Sequence, residues 1–572
     1  MHKDTKHKRK RLMLDLSIVL YNSAKWLPRL VESLCAQSIA LNTTALLVYD
    51  NASSDRSADI FEQLINQHRC RFRCVTVLRS TRNVGFGRGH NAASAHGSAP
   101  YICLVNPDAE LHRDCLGILF STAQQDPNAV AWEMRQAPYE HPKIYDPVTL
   151  ETSWVSGAGV LLRRSAFEQV GGFDDRIFLY GEDVDLSWRL RDRGHILRYC
   201  PKAVLFHHTY AQPGEVKPAQ LTGSMQANLY LRTRFGSFRD IATGIVRQIR
   251  EMRPHRRHIP QQGRAILSGM GKWLIQFHHW RSGSSRTIAH CFYGWDYEIA
   301  RRGAFYDISK GVTLTEHPKV SILIRTTGRQ KLLRSALATL LHQTYPNIEV
   351  VIVEDGPPSL TDFLRTYADK LAITYHAFGE NRGRCEAGNK AMALATGEYF
   401  IFLDDDDLFY ADHIEQLVGA ALLHRSAVAY SYAFELPSAY TADGDAKAAG
   451  RLFTRFEGIF SFARLCQRNY IPIHALLFHR SLYEICGGLD PDIPYNEDWN
   501  LWVRYAIHAR PFVLVAKTSC IYRVPVDHKR PGGRAALMIE HWERVRKRQA
   551  NLRVATTVGE IGEMFESRCG ER

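Results

Sequence analysis

Apolar and polar positions along the 572 residues alternate between two periods, and one order of those periods occurs twice. Near the start, the apolar run LSIVLYN (16–22) gives way to a helical pattern and then to ALLVYDNASSD (45–55). Further on, VSILIRTTGR (320–329), the helical LLRSALATLLHQ and EVVIVEDGPP (349–358) follow in the same order. Short β-branched runs bounded by turn residues predict buried strands, and apolar spacing of three and four predicts helices. Strand and helix in alternation predict βαβ units, hence an α/β fold: a mostly parallel sheet flanked by helices. Ligands of such sheets bind beyond the carboxyl ends of the strands, where Asp50, Asp108, Asp355 and Asp406 fall.

The repeat continues downstream. NVGFGRGHNAA (83–93) matches NRGRCEAGNKA (381–391), and YICLVNPDAEL (101–111) matches YFIFLDDDDLF (399–409). GGFDDRIFLYGEDVDLSWRL (171–190) matches GGLDPDIPYNEDWNLWVRY (487–505). Asp50 pairs with Asp355 at an offset of 305, Asn83 with Asn381 and Asp108 with Asp406 at 298, and Asp183 with Asp498 at 315. A long match repeated once predicts two domains of one fold, not a solenoid. The division expected is a basic tail (1–12), a first domain (13–230), a basic helical linker (231–316), a second domain (317–535) and a C-terminal helical tail (536–572).

Charge changes this picture only at two places. The net charge is +14, yet residues 1–12 hold six Lys/Arg against Asp4, and 231–302 hold fourteen against four acidic residues. The rest of the chain is near neutral, which excludes a basic nucleic-acid-binding surface on the folded domains. Within the linker, RAILSGMGKWLIQFHHW (264–280) places Ile266, Met270, Trp273, Leu274 and Phe277 on one helical stripe with arginines on both sides. Such a helix either lies in a membrane interface or packs one domain on another, and the membrane surface is the partner expected here. The twelve cysteines show no CxxC or zinc-finger spacing and read as reduced thiols of a cytoplasmic protein. No apolar run reaches the length of a membrane span, and no signal-peptide core follows the basic start, so peripheral placement at the inner face of the cell membrane is expected.

The candidate chemistry is acidic. Asp404, Asp405, Asp406 and Asp407 follow an apolar run, and adjacent carboxylates repel unless a cation or protons neutralise them. Their place at a strand end favours a hard-cation site for Mg²⁺ or Mn²⁺ over a solvated turn. The first copy keeps Asn106, Asp108 and the nearby Glu110. Glu182-Asp183 and Glu497-Asp498 each open a Trp-containing helical pattern; they are either dipole partners of a helix start or a general base with a supporting carboxylate.

These motifs resemble the family 2, GT-A-fold type of inverting glycosyltransferase, over about 16–210 and 319–525. The resemblance implies two tandem GT-A domains, with Asp183 and Asp498 as catalytic bases supported by Glu182 and Glu497. It places Tyr21, Asp50, Asn83, Asn106, Thr326, Asp355, Asn381 and Asp405 at the nucleotide-sugar donor. It gives a divalent cation to Asp108 and His208 in the first domain and to Asp404 and Asp406 in the second, with His207 an alternative to His208 and His528 a further, weaker ligand. NVGFGRGHN, NPDAEL and FLYGEDVDLSWRLRDRGH are similar to the bacterial rhamnosyltransferase-like branch, whose usual donor is dTDP-rhamnose; Asn106 in place of the first acidic residue leaves the metal requirement of that domain open. The function implied is a bifunctional transferase building a surface polysaccharide, such as an O-antigen or capsule, on a lipid-linked or oligosaccharide acceptor. Two alternatives stay open on the residues: a sugar nucleotidyltransferase, and one active domain beside a glycan-binding or scaffolding copy.

Overall fold

The computed structural model describes residues 13–210, 215–256, 258–282, 287–305, 317–441, 444–526 and 534–557. The basic tail 1–12 and His528 lie outside the described residues. The chain divides into two compact units, one of residues 1–146 with 150–300, the other of 147–149 with 301–572.

The first unit is built on strands β1 (Leu14–Leu20), β2 (Thr44–Asp50), β3 (Cys74–Arg79), β4 (Tyr101–Val105), β5 (Ala109–Leu111), β6 (Ala129–Ala137), β7 (Gly159–Arg163) and β8 (Ile196–His207), in the order β3-β2-β1-β4-β7-β6-β8-β5. The first four are parallel; β7 then runs antiparallel to β4 and β6. Every residue of β1 is buried, because helices cover both faces of the sheet. Leu27, Leu30, Val31 and Leu34 of helix Leu27–Cys35 join Leu16, Ile18 and Leu20 in the core of one face.

The second unit repeats this arrangement position by position. Its strands are β9 (Val320–Thr326), β10 (Ile348–Glu354), β11 (Ile373–Ala377), β12 (Tyr399–Phe402), β13 (Leu408–Phe409), β14 (Val428–Tyr440), β15 (Ala446–Ala448), β16 (Phe453–Phe456), β17 (Leu476–His479) and β18 (Val513–Pro525). The order is β11-β10-β9-β12-β17-β14-β18-β13, with β15 and β16 paired to β14. Two mixed sheets of the same strand order, each with its parallel half first, are the tandem α/β fold expected from the repeat.

Sheet register corrects one pairing. Leu14 lies opposite Thr44, and Val320 opposite Ile348. Asp50 therefore corresponds to Glu354 and Asn51 to Asp355: the amide of Asn51 donates to Leu20 O at 2.8 Å and that of Asp355 to Thr326 O at 2.7 Å. Asp50 and Asp355 are neighbours in register, not equivalents.

Both regions read as accessory are packed. Helix Pro218–Phe235 crosses the expected boundary at residue 230, and helices Phe238–Glu251 and Gln262–Ile275 pack on it within the first unit. The stripe expected to face a membrane is divided: Ile266 and Trp273 are buried, the Trp273 indole donating to Thr233 Oγ1 at 2.7 Å, while Leu274 of the same stripe is exposed. In the second unit, helix Arg534–Ala550 is no free tail. Val545 is buried in the core, and Arg548 pairs with Asp490 at 3.1 Å and Asp492 at 2.6 Å.

Candidate active sites

Each unit gathers its candidate residues at the carboxyl end of the parallel strands. Helices Glu182–Asp192 and Glu497–Ala509 begin there, each after a residue in the left-handed region, Gly181 (φ +79°) and Asn496 (φ +61°). A side chain at Gly181 would meet the Ala227 Cβ at 2.5 Å, so glycine lets helix Pro218–Phe235 approach. Asn496 instead donates from Nδ2 to Met538 O at 2.9 Å, tying down the C-terminal helix. The two accessory helices thus hold the same turn in the two units.

In the second unit this turn opens on a cavity of about 330 Å³, lined by Arg325, Asp404, Asn469, Glu497, Asp498 and Tyr522 among others, with Met538 and Ile539 of the C-terminal helix on its wall. Asp498 accepts from Asn469 Nδ2 at 2.9 Å and from the Trp499 amide at 2.8 Å. Burial, and then the Glu497 charge, push its carboxyl up to about 6. Glu497 itself faces Arg325 at 3.1 Å and Arg384 at 3.6 Å.

The first unit holds the same pair in different company. Asp183 accepts from the amides of Gly157 (3.1 Å) and Val184 (2.8 Å), and burial raises its pKa. Register and helix starts place Val19 and Phe86 where the second unit has Arg325 and Arg384. Among the described residues no cation pairs with the buried Glu182, and its Oε2 has no hydrogen-bond partner. Burial, and then Asp183, push its carboxyl up to about 8. Nearby, Lys143 is buried against Glu133 and the Trp154 carbonyl.

The acidic run of the second unit is neutralised from within the chain. Arg325 donates to both oxygens of Asp404 (2.8 and 2.7 Å); Arg329 pairs with Asp405 and, at 3.3 Å, with Asp406; His474 lies 3.0 Å from Asp407. Thr326 and Asp405, expected at the donor, bond to each other at 2.6 Å, and Asp405 is fully buried. Asp404, expected on a cation, is committed to Arg325. Among the described residues, Asp406 meets Arg329 and the Tyr440 hydroxyl at 3.2 Å. Among the described residues, no group of three or more His, Cys, Asp or Glu is arranged to hold a metal.

The first unit suits a cation better, through a histidine other than the one expected. His208 bonds Glu110 at 2.6 Å and stacks on Trp26. His207 is the one beside Asp108, its Nε2 3.2 Å from Oδ1, while Gln136 Oε1 accepts from its Nδ1 at 2.8 Å. That bond leaves Nε2 to accept from Thr209 Oγ1 at 2.7 Å and Asn106 Nδ2 at 3.3 Å, and the buried Asn106 Oδ1 is unpartnered. A carboxylate, an imidazole nitrogen and an unpartnered amide oxygen are a donor set that fits a divalent cation taking its other ligands from phosphates and water.

The remaining donor candidates are divided. Asn83 Oδ1 accepts from Asn51 Nδ2 at 2.8 Å and the Gly85 amide at 2.9 Å, while Asn381 at the equivalent place is exposed. Asp355 accepts from the amides of Arg382 and Gly383, as Asn51 Oδ1 does from Val84 at 2.7 Å. Asp50 is buried at the end of β2, and Tyr21 is half exposed just beyond β1. Unforeseen were Lys143, Asn469, Arg384 and the Arg325 bridge; an arginine inside the apolar VSILIRT was the one visible signal of a buried acidic partner.

Two sheets of one strand order each carry a Glu-Asp pair, the glutamate buried and the aspartate half-buried, at the start of a helix. The family model for glycosyl transferase family 2 matches residues 16–185 and 321–461, more than half the chain, and glycosyl transferase family group 2 matches 143–236. The chain belongs to glycosyl transferase family 2 and is a glycosyltransferase.

An uncharacterized glycosyltransferase of Rickettsia typhi is 29% identical over 200 residues, 33% of this chain and 59% of its own length. The N-acetylglucosaminyl-diphospho-decaprenol L-rhamnosyltransferase of Mycobacterium tuberculosis is 27% identical over 267 residues, 38% of this chain and 83% of its own. The chain thus spans less than two thirds of the rickettsial relative. Among solved structures, S. aureus TarS (residues 1–349) aligns with a TM-score of 0.33 and 16% identity, over 41% of this chain and 67% of that one.

Proposed function

We propose that both units are inverting transferases, each moving a sugar from a nucleoside-diphosphate donor onto a growing surface glycan. One observation carries this reading: the same Glu-Asp pair, its glutamate buried and its aspartate half-buried, starts the same helix at the same sheet end in both units. Asp183 and Asp498 each take the proton of an acceptor hydroxyl as its oxygen attacks the anomeric carbon; the bond to the nucleoside diphosphate breaks, and configuration inverts. Burial raises both pKa values, which makes each aspartate a better base near neutral pH. Mg²⁺ or Mn²⁺, held by Asp108 with His207 in the first unit and by Asp406 in the second, would neutralise charge on the departing diphosphate.

For the first unit the donor proposed is dTDP-rhamnose and the acceptor a glycan on a lipid diphosphate. The mycobacterial relative's name, with its rhamnosyl transfer and diphospho-decaprenol acceptor, supports both. The corresponding placement is the cytoplasmic face of the membrane. The test incubates the full chain with dTDP-rhamnose and a panel of UDP- and GDP-sugars plus glycan acceptors. Release of nucleoside diphosphate with glycan extension is expected; release of pyrophosphate identifies a nucleotidyltransferase and overturns the reading.

A further inference from the structure

Seventeen large apolar side chains are exposed among the described residues, and six of them lie between 238 and 275. Gln262–Ile275 is two-faced. Gln262, Ile266, Gly269 and Trp273 are buried. On the opposite side, Leu267 (59% exposed), Leu274 (68%) and Ile275 (87%) face solvent. Leu267 and Leu274 are seven residues apart and so share a face, with Arg264 one turn before Leu267 and Lys272 at the border. Phe238–Glu251 repeats the design: Ile241, Gly244 and Gln248 are buried, while Phe238, Val246 and Ile249 are exposed beside Arg239 and Arg250.

The two acidic residues of these helices are otherwise engaged. Asp240 accepts from the Ser237 amide at 2.8 Å, and Glu251 lies 3.6 Å from Arg256. Exposed leucine and isoleucine with a basic border and no opposing carboxylate match the chemistry of an anionic lipid interface, apolar chains entering below the headgroups and arginines meeting the phosphates. No helix among the described residues is long and apolar enough to cross a membrane, so contact through these helices is at the surface. The same helix supplies Lys272, beside Gln276, to a groove of about 330 Å³ that also includes Tyr180, two residues before Glu182. A lipid surface under this helix therefore lies next to the first site.

We propose that the outward faces of helices Phe238–Glu251 and Gln262–Ile275 seat the protein on anionic lipid. This goes beyond the transfer reading and stands without it. The test is co-sedimentation of the full chain with equimolar phosphatidylglycerol and phosphatidylcholine vesicles, and with phosphatidylcholine alone. Binding to the anionic vesicles, weakened by high salt, is expected. The triple variant Leu267→Ser, Leu274→Ser, Ile275→Ser removes exposed side chains only. It should keep the circular dichroism and melting profile and bind at least ~10-fold more weakly, given the apolar area lost from the interface. A second variant carries Gln at all six Lys/Arg of residues 1–12 and should still bind. The proposal is overturned if the wild type fails to bind anionic vesicles at low salt, if the triple variant binds equally well, or if the tail variant alone loses binding. It is also overturned if the triple change instead dissolves a dimer seen by light scattering without lipid, since the face then serves a second copy.

Discussion

Replacing Glu182 and Glu497 by glutamine should shift stability in opposite directions, although the two occupy equivalent places. Glu182 is buried with no cation paired to it among the described residues, and its carboxyl, ordinarily near 4.5, is pushed up to about 8. Between those values the folded unit keeps a proton that the unfolded chain releases. Stability conferred by the neutral acid is therefore full below about pH 4.5 and falls as pH rises toward 8. At about 1.36 kcal/mol per pKa unit, the loss is about 3 kcal/mol at pH 7 and about 5 kcal/mol above pH 8. Glutamine cannot ionise in either state. Any fixed cost of the amide cancels when two pH values are compared, so Glu182→Gln should be about 3 kcal/mol more stabilising at pH 8 than at pH 5. For a unit of this size that is roughly 6–12 °C in Tm.

Glu497→Gln removes a carboxylate that Arg325 and Arg384 share. It should destabilise at pH 7 by roughly 2–3 kcal/mol, less than the ~3–5 kcal/mol of a fully orphaned buried charge, because Asp404 still faces Arg325. Differential scanning calorimetry of the full chain across pH reads both changes. Equal signs, or a Glu182→Gln effect independent of pH, would refute the reasoning.

Three further outcomes follow from the geometry. Transfer by the second unit should rise with pH through about 6 in kcat/KM, as Asp498 becomes the free base; Asn469→Ala, which removes a donor to the carboxylate, should move that limb upward, and an unmoved limb counts against Asp498 as base. His207→Ala should weaken Mn²⁺ binding by the full chain roughly 10–100-fold while His208→Ala leaves it near wild type, as isothermal titration would show; equal effects would contradict the placement of His207 beside Asp108. Ile539→Asp should raise the acceptor KM of the second unit and leave its donor KM unchanged, because Ile539 lies on the cavity wall contributed by the C-terminal helix; a donor-only effect would rule that wall out as the acceptor side.

The tandem fold was legible because strand and helix periods repeat in order, and the Glu-Asp pairs because each opens an apolar helical pattern. What stayed hidden depended on distant partners or on single-residue register. Asp50 looked like Asp355 because both follow apolar runs, yet the sheet slips them by one. His207 ends β8 and His208 follows it, and their side chains part there, the first meeting Asp108 and the second Glu110. Arg325 finds Glu497 172 residues away. An amphipathic pattern reveals an apolar face but not what covers it: Ile266 and Trp273 of the expected stripe pack inward, whereas Leu274 of the same stripe is exposed near Leu267.

Product analysis of Asp183→Asn and Asp498→Asn in the full chain tests the two-site account most directly. With the donors and acceptor of the wild-type reaction, each variant should stop the glycan at a different linkage, and mixing the two should restore the full product. If Asp183→Asn leaves every linkage intact, or both variants lose the same one, only one unit catalyses transfer and the account of two active sites is wrong.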